Sequence, residues 1–180
     1  MSRIAVPARQ DAPSAAQPLL DAVQKQLGAT PNLHRLLASS PPVLKGYLGL
    51  SGELAHLLDA GTRERIALAV AEVNGCDYCL SAHTYVGLKV VKLTEAEIAL
   101  ARRGGSSDAK TGAAVRFAAA VAKMRGKVSD SELAAVKAAG FTDVQVVEIV
   151  ALVVGNVFTN FMNNVAATDI DFPVVHAEAA

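Results

Sequence analysis

One segment near the end of the chain restricts the fold more than any other, because the stretch from Thr142 to Val165 is apolar on most sides. Thr142 and Gln145 have the spacing of a capping box, which indicates that a helix begins there. A helix that is apolar on most faces must be buried, either at the centre of the protein or in a subunit interface. The residues that make it apolar are Val144, Val146, Val147, Ile149, Val150, Leu152, Val153 and Val154.

The remaining chain also has the pattern of helices. Ser129 with Glu132 and Thr94 with Glu97 repeat the capping-box spacing, and Thr62 is a candidate cap for a helix that runs to about residue 73. No alternating segment is bounded by an Asn-Gly or Asp-Gly turn, so no hairpin is indicated. We therefore predict an all-α fold, a compact helical domain. Further helices are expected near 17–27, 43–58, 76–91 and 108–125.

Length and composition predict one globular domain. The chain has 180 residues, of which 52% are hydrophobic and 19% charged, and such a chain can bury a core of its own. We expect an irregular N-terminal arm over 1–18 and a single domain over 19–180. Lysine plus arginine equals aspartate plus glutamate at 17 each, and no basic run with interleaved aromatic residues predicts nucleic-acid binding. Neither a long apolar run nor a signal-type N-terminus is present, which favours a cytoplasmic protein without a membrane partner.

Both cysteines of the chain, Cys76 and Cys79, lie three residues apart, and His83 follows four residues later. On a helix these three side chains fall within an arc of roughly 60°. Asn74-Gly75 is a break signal that places Cys76 at the start of a helix, where unpaired backbone N–H groups favour a thiolate. His83 is one turn beyond Cys79 and could accept its proton. The helix start favours Cys76 as the attacking thiol and His83 favours Cys79, so this pattern alone leaves the order open.

Two carboxylates on the preceding predicted helix could fold back onto the cysteine pair. Glu64 lies twelve residues before Cys76, and Glu72 is closer to it in sequence. If Glu64 faced solvent, Glu72 would be the substitute.

Two other interpretations of the cysteine pair are open at this stage. The cysteines could be small buried hydrophobic residues without reactivity. Alternatively, Cys76, Cys79 and His83 could bind zinc together with Glu64 or His56. Structural zinc sites more often contain a second pair of ligands elsewhere in the chain, and the sequence has none.

The run Arg63–Val70 (RERIALAV), followed by Asn74–His83 (NGCDYCLSAH), resembles the signature of the alkylhydroperoxidase D-like branch of the carboxymuconolactone decarboxylase superfamily. Asn160-Phe161 and the segment Asp169–Pro173 (DIDFP) resemble its peroxidase-related members. The likeness is strong over 61–87 and looser over 28–174.

The resemblance implies a helical thiol peroxidase that reduces hydrogen peroxide or organic hydroperoxides. In that scheme Cys79 attacks the peroxide, Cys76 resolves the sulfenic acid as a disulfide, and His83 relays the proton with help from Glu64. It implies no bound cofactor or metal, an external dithiol or thioredoxin-like reductant, and a homo-oligomer, either a trimer or a hexamer. A redox-sensing oligomeric module and a non-redox enzyme on the same scaffold are the alternatives.

Two further features lead to expectations. The best-studied members of the family have a histidine between the two cysteines, where this chain has Tyr78, and tyrosine is a poor proton acceptor at neutral pH. Asn156, Asn160 and Asn164 share one face of the apolar helix. Buried amides need hydrogen-bond partners, so these three predict either a hydrogen-bonded subunit contact or an exposed helix end.

Overall fold

The computed structural model describes residues 2–178, which contain nine α-helices and no β-strand. The predicted all-α fold is confirmed. The helices are α1 (Gln17–Leu27), α2 (Asn32–Ala38), α3 (Pro41–Leu54), α4 (Ala60–Val73), α5 (Asp77–Val86), α6 (Glu95–Arg102), α7 (Ala109–Lys123), α8 (Asp130–Ala138) and α9 (Asp143–Ala166). A π-helical turn, Gly87–Val91, extends α5.

Helix starts follow the predicted caps with one exception. The capping boxes of Ser129 and Thr142 both form at the starts of α8 and α9. The cap predicted at Thr62 was wrong, because α4 begins at Ala60 with Asp59 as its cap. Asp59 accepts hydrogen bonds from the Thr62 backbone N–H at 2.9 Å and from the Thr62 hydroxyl at 2.6 Å. Aspartate is at least as strong a cap as threonine, and it lies three residues earlier.

Helix α4 is the central element, and it contacts α5, α6, α7 and α9. Six consecutive residues from Ile66 to Ala71 are buried. Leu68 and Ala71 belong to a core cluster that includes both cysteines, whereas Ile66 and Val70 belong to a second cluster with residues of α7, α8 and α9. The helix that holds Glu64 is therefore fixed from several sides.

Helix α9 packs against α3, α4 and α7 through one face only. Ile149, Leu152 and Val153 are buried there, and Gly155 allows close approach of α3, since a Cβ at this position would lie 2.6 Å from Leu54 Cδ1. The opposite face carries exposed apolar residues. Within the subunit, the expected burial of this helix is therefore found on one face only. By length and composition α9 could cross a membrane, a property that core helices of soluble proteins share.

Candidate functional site

A tight turn between α4 and α5 places the two cysteines. Asn74 ends α4, and Gly75 has φ +59°, a left-handed conformation that favours glycine. The Cys76 backbone N–H donates to Ala71 O at 2.9 Å, which closes the turn. Cys76 then becomes the cap residue of α5, as the break signal predicted.

The asparagines of α9 hold this turn in place. Asn74 Nδ2 donates to Asn160 Oδ1 at 2.8 Å, and Asn164 Nδ2 donates to Asn74 O at 2.8 Å. Asn156 donates to Leu152 O within its own helix. The amide groups for which we considered a subunit contact therefore bind within the chain, and two of them connect α9 to the residue that precedes the dithiol turn.

Cys76 and Cys79 form a disulfide with a Cα–Cα distance of 5.3 Å. Cys76 is fully buried and Cys79 is 3% exposed. Cys76 Sγ accepts a hydrogen bond from the Cys79 backbone N–H at 3.3 Å. A sulfur in this position at a helix N-terminus is stabilised in its anionic form once the disulfide is reduced.

A cavity of about 140 Å³ opens beside Cys79, and His83 also lines it. Cys76 does not border this cavity. Much of the wall is apolar, with Leu33, Leu50, Leu54 and Ala82 among its members. The size matches that of an engineered cavity of about 150 Å³ that holds benzene. Cys79 is thus the sulfur that a small ligand in this cavity can reach.

Glu64 holds the imidazole of His83. His83 Nδ1 and Glu64 Oε2 are 2.9 Å apart, and the two side chains are 27% and 17% exposed. Burial alone would lower the pKa of His83, but the charge of Glu64 and the hydrogen bond to it raise the pKa above its ordinary value. Because Nδ1 is engaged by the carboxylate, Nε2 is the nitrogen available for proton exchange at the cavity.

Glu72, the alternative carboxylate, has other partners. Arg102 Nε lies 2.6 Å from Glu72 Oε2, and the Glu178 backbone N–H donates to Glu72 Oε1 at 2.6 Å. The structure therefore joins His83 to Glu64, the carboxylate that we preferred from the sequence. All four predicted site residues lie in one region. Glu64 contacts His83, and Cys79 is bonded to Cys76.

Tyr78 has a structural role between the cysteines. Its hydroxyl accepts a hydrogen bond from the Leu33 backbone N–H at 3.1 Å, and its ring meets Phe172 edge-on at a centroid distance of 5.8 Å. Burial and the neighbouring Asp171 carboxylate keep its pKa well above the ordinary value. This phenol remains protonated at neutral pH and ties α5 to α2 and to the C-terminal tail.

The C-terminal tail covers the first turn of α5. The Ala177 backbone N–H donates to Asp77 Oδ1 at 2.9 Å, and His176 Nδ1 lies 2.7 Å from Asp77 Oδ2. The Val175 backbone N–H donates to Ser81 Oγ at 2.9 Å. The tail therefore lies over Asp77 and Ser81 of the dithiol helix, and it does not line the cavity beside Cys79.

Sequence reasoning missed Asn163 as a member of the site. Its side chain is buried and lines the same cavity, and Nδ2 lies 3.4 Å from Cys79 Sγ. The available signal was its spacing of seven residues from Asn156, which places both on nearly the same face of α9. Within residues 2–178, no group of three or more His, Cys, Asp or Glu side chains has an arrangement that could hold a metal ion.

Comparison with protein families identifies the central part of the chain. Residues 41–124 match the model of the carboxymuconolactone decarboxylase family. An uncharacterized protein from Haemophilus influenzae (strain ATCC 51907 / DSM 11121 / KW20 / Rd) is 49% identical over 45 residues, which are 24% of this chain. The match spans 40% of the length of that curated relative.

Solved structures share the fold over nearly the whole chain. An uncharacterized peroxidase-related protein from Ralstonia eutropha JMP134, described as an alkylhydroperoxidase AhpD core, has a TM-score of 0.82 at 24% identity, with 94% of this chain and 92% of that chain covered. A peroxidase-related protein from Silicibacter sp. TM1040 has a TM-score of 0.77 at 21% identity, covering 93% and 91%. The debrominase Bmp8 has a TM-score of 0.78 at 19% identity, again covering 93% and 91%.

Proposed function

Residues 41–124 belong to the carboxymuconolactone decarboxylase family, and from that premise we propose that this protein is a cytoplasmic thiol peroxidase. Its substrates would be hydrogen peroxide or organic hydroperoxides. The resemblance that the sequence showed is confirmed for the family and for the alkylhydroperoxidase fold. The observation that carries the proposal is the shared cavity of Cys79 and His83, with Glu64 bound to the far side of the imidazole.

In the first step, Cys79 attacks the peroxide. His83 takes the thiol proton of Cys79, and the resulting thiolate forms an S–O bond with the terminal oxygen while the O–O bond breaks. The imidazolium then gives its proton to the departing alkoxide, which leaves as an alcohol. Glu64 favours this step because its charge stabilises the imidazolium.

In the second step, Cys76 resolves the sulfenic acid on Cys79. The Cys76 thiolate attacks the sulfur of Cys79, the disulfide forms, and the hydroxyl leaves as water after protonation. Cys76 suits this role because its sulfur accepts the Cys79 backbone N–H and lies within the same helical turn. Rapid closure limits further oxidation of Cys79.

Reduction returns the enzyme to its starting state. An external dithiol or thioredoxin-like protein supplies two electrons by attack on Cys79, the sulfur at the cavity, and Cys76 leaves as the stabilised thiolate. Two thiols of the donor become a disulfide. The proposed cycle uses no bound cofactor or metal.

The test is the rate at which the reduced, metal-free protein forms its disulfide. We expect stoichiometric closure within seconds of mixing with equimolar cumene hydroperoxide, measured by acid quench and mass spectrometry as the loss of two hydrogen atoms. Closure should be much faster than in a control peptide that contains Cys-Asp-Tyr-Cys. A rate of closure no higher than in the peptide would refute the peroxidase proposal and favour the redox-sensor and non-redox alternatives.

Reductive debromination is a second candidate, because of the debrominase neighbours. A cysteine-to-alanine variant of Bmp8 has a solved structure in complex with 2,3,4-tribromopyrrole, and the benzene-sized, largely apolar cavity of this chain could take a small aromatic ring. Here the dithiol would supply two electrons, and a proton would replace bromine as bromide departs. Bromide release from tribromopyrrole, with slow closure by cumene hydroperoxide, would favour this activity.

We also propose that the protein is a homo-oligomer, a trimer or hexamer, that packs through the outer face of α9. Large apolar side chains follow this face, and such a patch on a surface helix marks an interaction site. Their neighbours on the helix carry few charges, which suits the same uncharged face of a second copy. The exposed residues are Val144, Val147, Val150, Val154, Phe161 and Val165.

Val154→Asp is expected to dissociate this assembly, because a carboxylate at the centre of an apolar interface is costly to bury. Sedimentation velocity at micromolar concentration should show a smaller species for this variant. Val90→Asp is the matched control, since Val90 is similarly exposed but lies outside α9. A monomeric wild-type protein, or equal dissociation by both substitutions, would contradict the proposed interface.

A further inference from the structure

Asn163 is a buried polar side chain that lies directly against the reactive sulfur. It is 2% exposed, and its Nδ2 donates toward Cys79 Sγ at 3.4 Å. It comes from α9, a different part of the chain from the dithiol helix. An amide N–H that donates to sulfur stabilises the thiolate more than the thiol.

The other end of the same amide has no partner. Across residues 2–178, no donor lies within hydrogen-bonding distance of Asn163 Oδ1, although the atom is buried. A buried acceptor without a partner costs free energy, and such groups call for an explanation. The residue lines the cavity beside Cys79, so a ligand there could supply the missing donor.

Several other polar side chains in this cavity already use their donor groups within the protein, or their hydroxyl as an acceptor. The Thr159 hydroxyl donates to Asn156 O at 2.9 Å, the Asn156 amide donates to Leu152 O at 2.8 Å, and the Ser51 hydroxyl donates to Leu48 O at 3.3 Å. The Tyr78 hydroxyl accepts from Leu33. Asn163 Oδ1 differs from these groups because, within residues 2–178, it is buried and has no hydrogen-bond partner.

We propose that Asn163 is a catalytic residue, whose Nδ2 stabilises the Cys79 thiolate while Oδ1 accepts the O–H of the bound hydroperoxide. This assignment rests on the proposed peroxidase function. The contact holds the terminal oxygen next to sulfur, so that the S–O bond forms at the oxygen that carries the hydrogen. The other oxygen leaves as alkoxide and takes its proton from His83. The substrate class is therefore a hydroperoxide with a small apolar group.

The first part of the test is the ionisation of Cys79 in a Cys76→Ser background, which has a single thiol. Thiolate absorbance at 240 nm is titrated with and without Asn163→Leu and Asn163→Asp. We expect the pKa of Cys79 to rise by about one unit in Asn163→Leu, and further in Asn163→Asp because a carboxylate repels the thiolate. Glu148→Gln is the control, since Glu148 lies on the same helix and outside the cavity.

The second part isolates the role of Oδ1. At a pH where Cys79 is fully ionised in both proteins, Asn163→Leu should react with methyl methanethiosulfonate, which has no hydrogen-bond donor, at the parent rate. Its reaction with tert-butyl hydroperoxide should remain about tenfold slower, as expected for the loss of one hydrogen bond. If the ratio of the variant rate to the parent rate were the same for both reagents, the assignment of Oδ1 would be overturned.

An unchanged pKa of Cys79 in a folded Asn163→Leu variant would overturn the assignment of Nδ2. Helicity and melting temperature are measured alongside, and Asn163→Ser replaces Asn163→Leu if that variant does not fold. Failure of the Asn163 assignment can be distinguished from failure of the proposed function. If the wild-type protein does not react with hydroperoxides, the peroxidase proposal fails, whereas the titration still shows whether Asn163 acts on the sulfur.

Discussion

Cys79→Ser is expected to abolish hydroperoxide turnover, with a loss of more than about 10³-fold that leaves only the rate without protein. A serine hydroxyl is not ionised at neutral pH and is a weak nucleophile toward an O–O bond. Cys76 cannot replace it, because Cys76 is fully buried and does not border the cavity. The measurement is peroxide consumption with dithiothreitol as the reductant, at pH 7.5.

Cys76→Ser is the matched variant and should fail in a different way. It keeps the attacking thiol and a side chain that can cap α5, so one equivalent of hydroperoxide should be consumed per subunit. Without the resolving thiol, the sulfenic acid should then persist and be trapped by dimedone. The reverse pattern, with turnover in Cys79→Ser or no first equivalent in Cys76→Ser, would show that Cys76 attacks first.

The parts of the site that the sequence predicted are those encoded locally. The turn at Asn74-Gly75, the cap at Cys76 and the one-turn spacing to His83 lie within ten residues, where helical geometry alone brings the side chains together. Glu64 is on the adjacent helix, and the short turn limits the ways in which α4 and α5 can pack. The preference for Glu64 over Glu72 nevertheless came from the family spacing.

The parts of the site that could not be predicted from the sequence depend on long-range packing. Asn163 reaches Cys79 across 84 positions of the chain, and Ala177 reaches Asp77 across 100. No local pattern determines which face of α9 meets α5. The composition of α9 indicated burial, yet one face of the helix is exposed within the subunit, because apolar residues alone do not distinguish a core from an interface. The contact between Tyr78 and Leu33 likewise joins distant parts of the chain, so no local pattern predicted it.

His83→Gln is expected to slow disulfide formation by cumene hydroperoxide by roughly 10²-fold or more. Glutamine can still form a hydrogen bond with Glu64, but it cannot take the Cys79 proton or return it to the departing alkoxide. Stopped-flow thiolate absorbance at pH 7.5 measures the first step directly. His176→Gln is the control, because His176 binds Asp77 from the exposed C-terminal tail and does not line the cavity. A loss smaller than about threefold in His83→Gln would remove His83 from the proton relay.

The pH profile gives a second signature of the same relay. Because the pKa of His83 is raised by Glu64, the imidazolium persists above its usual range near pH 6.5, and the rate should fall only as pH rises through that raised value. In Glu64→Gln the attraction is removed while burial remains, so the pKa of His83 should drop. The alkaline limb of kcat/KM should therefore move to lower pH, whereas a merely structural role for Glu64 would lower the rate without moving this limb. Movement to higher pH would contradict the relay, because removal of the Glu64 charge cannot stabilise the imidazolium.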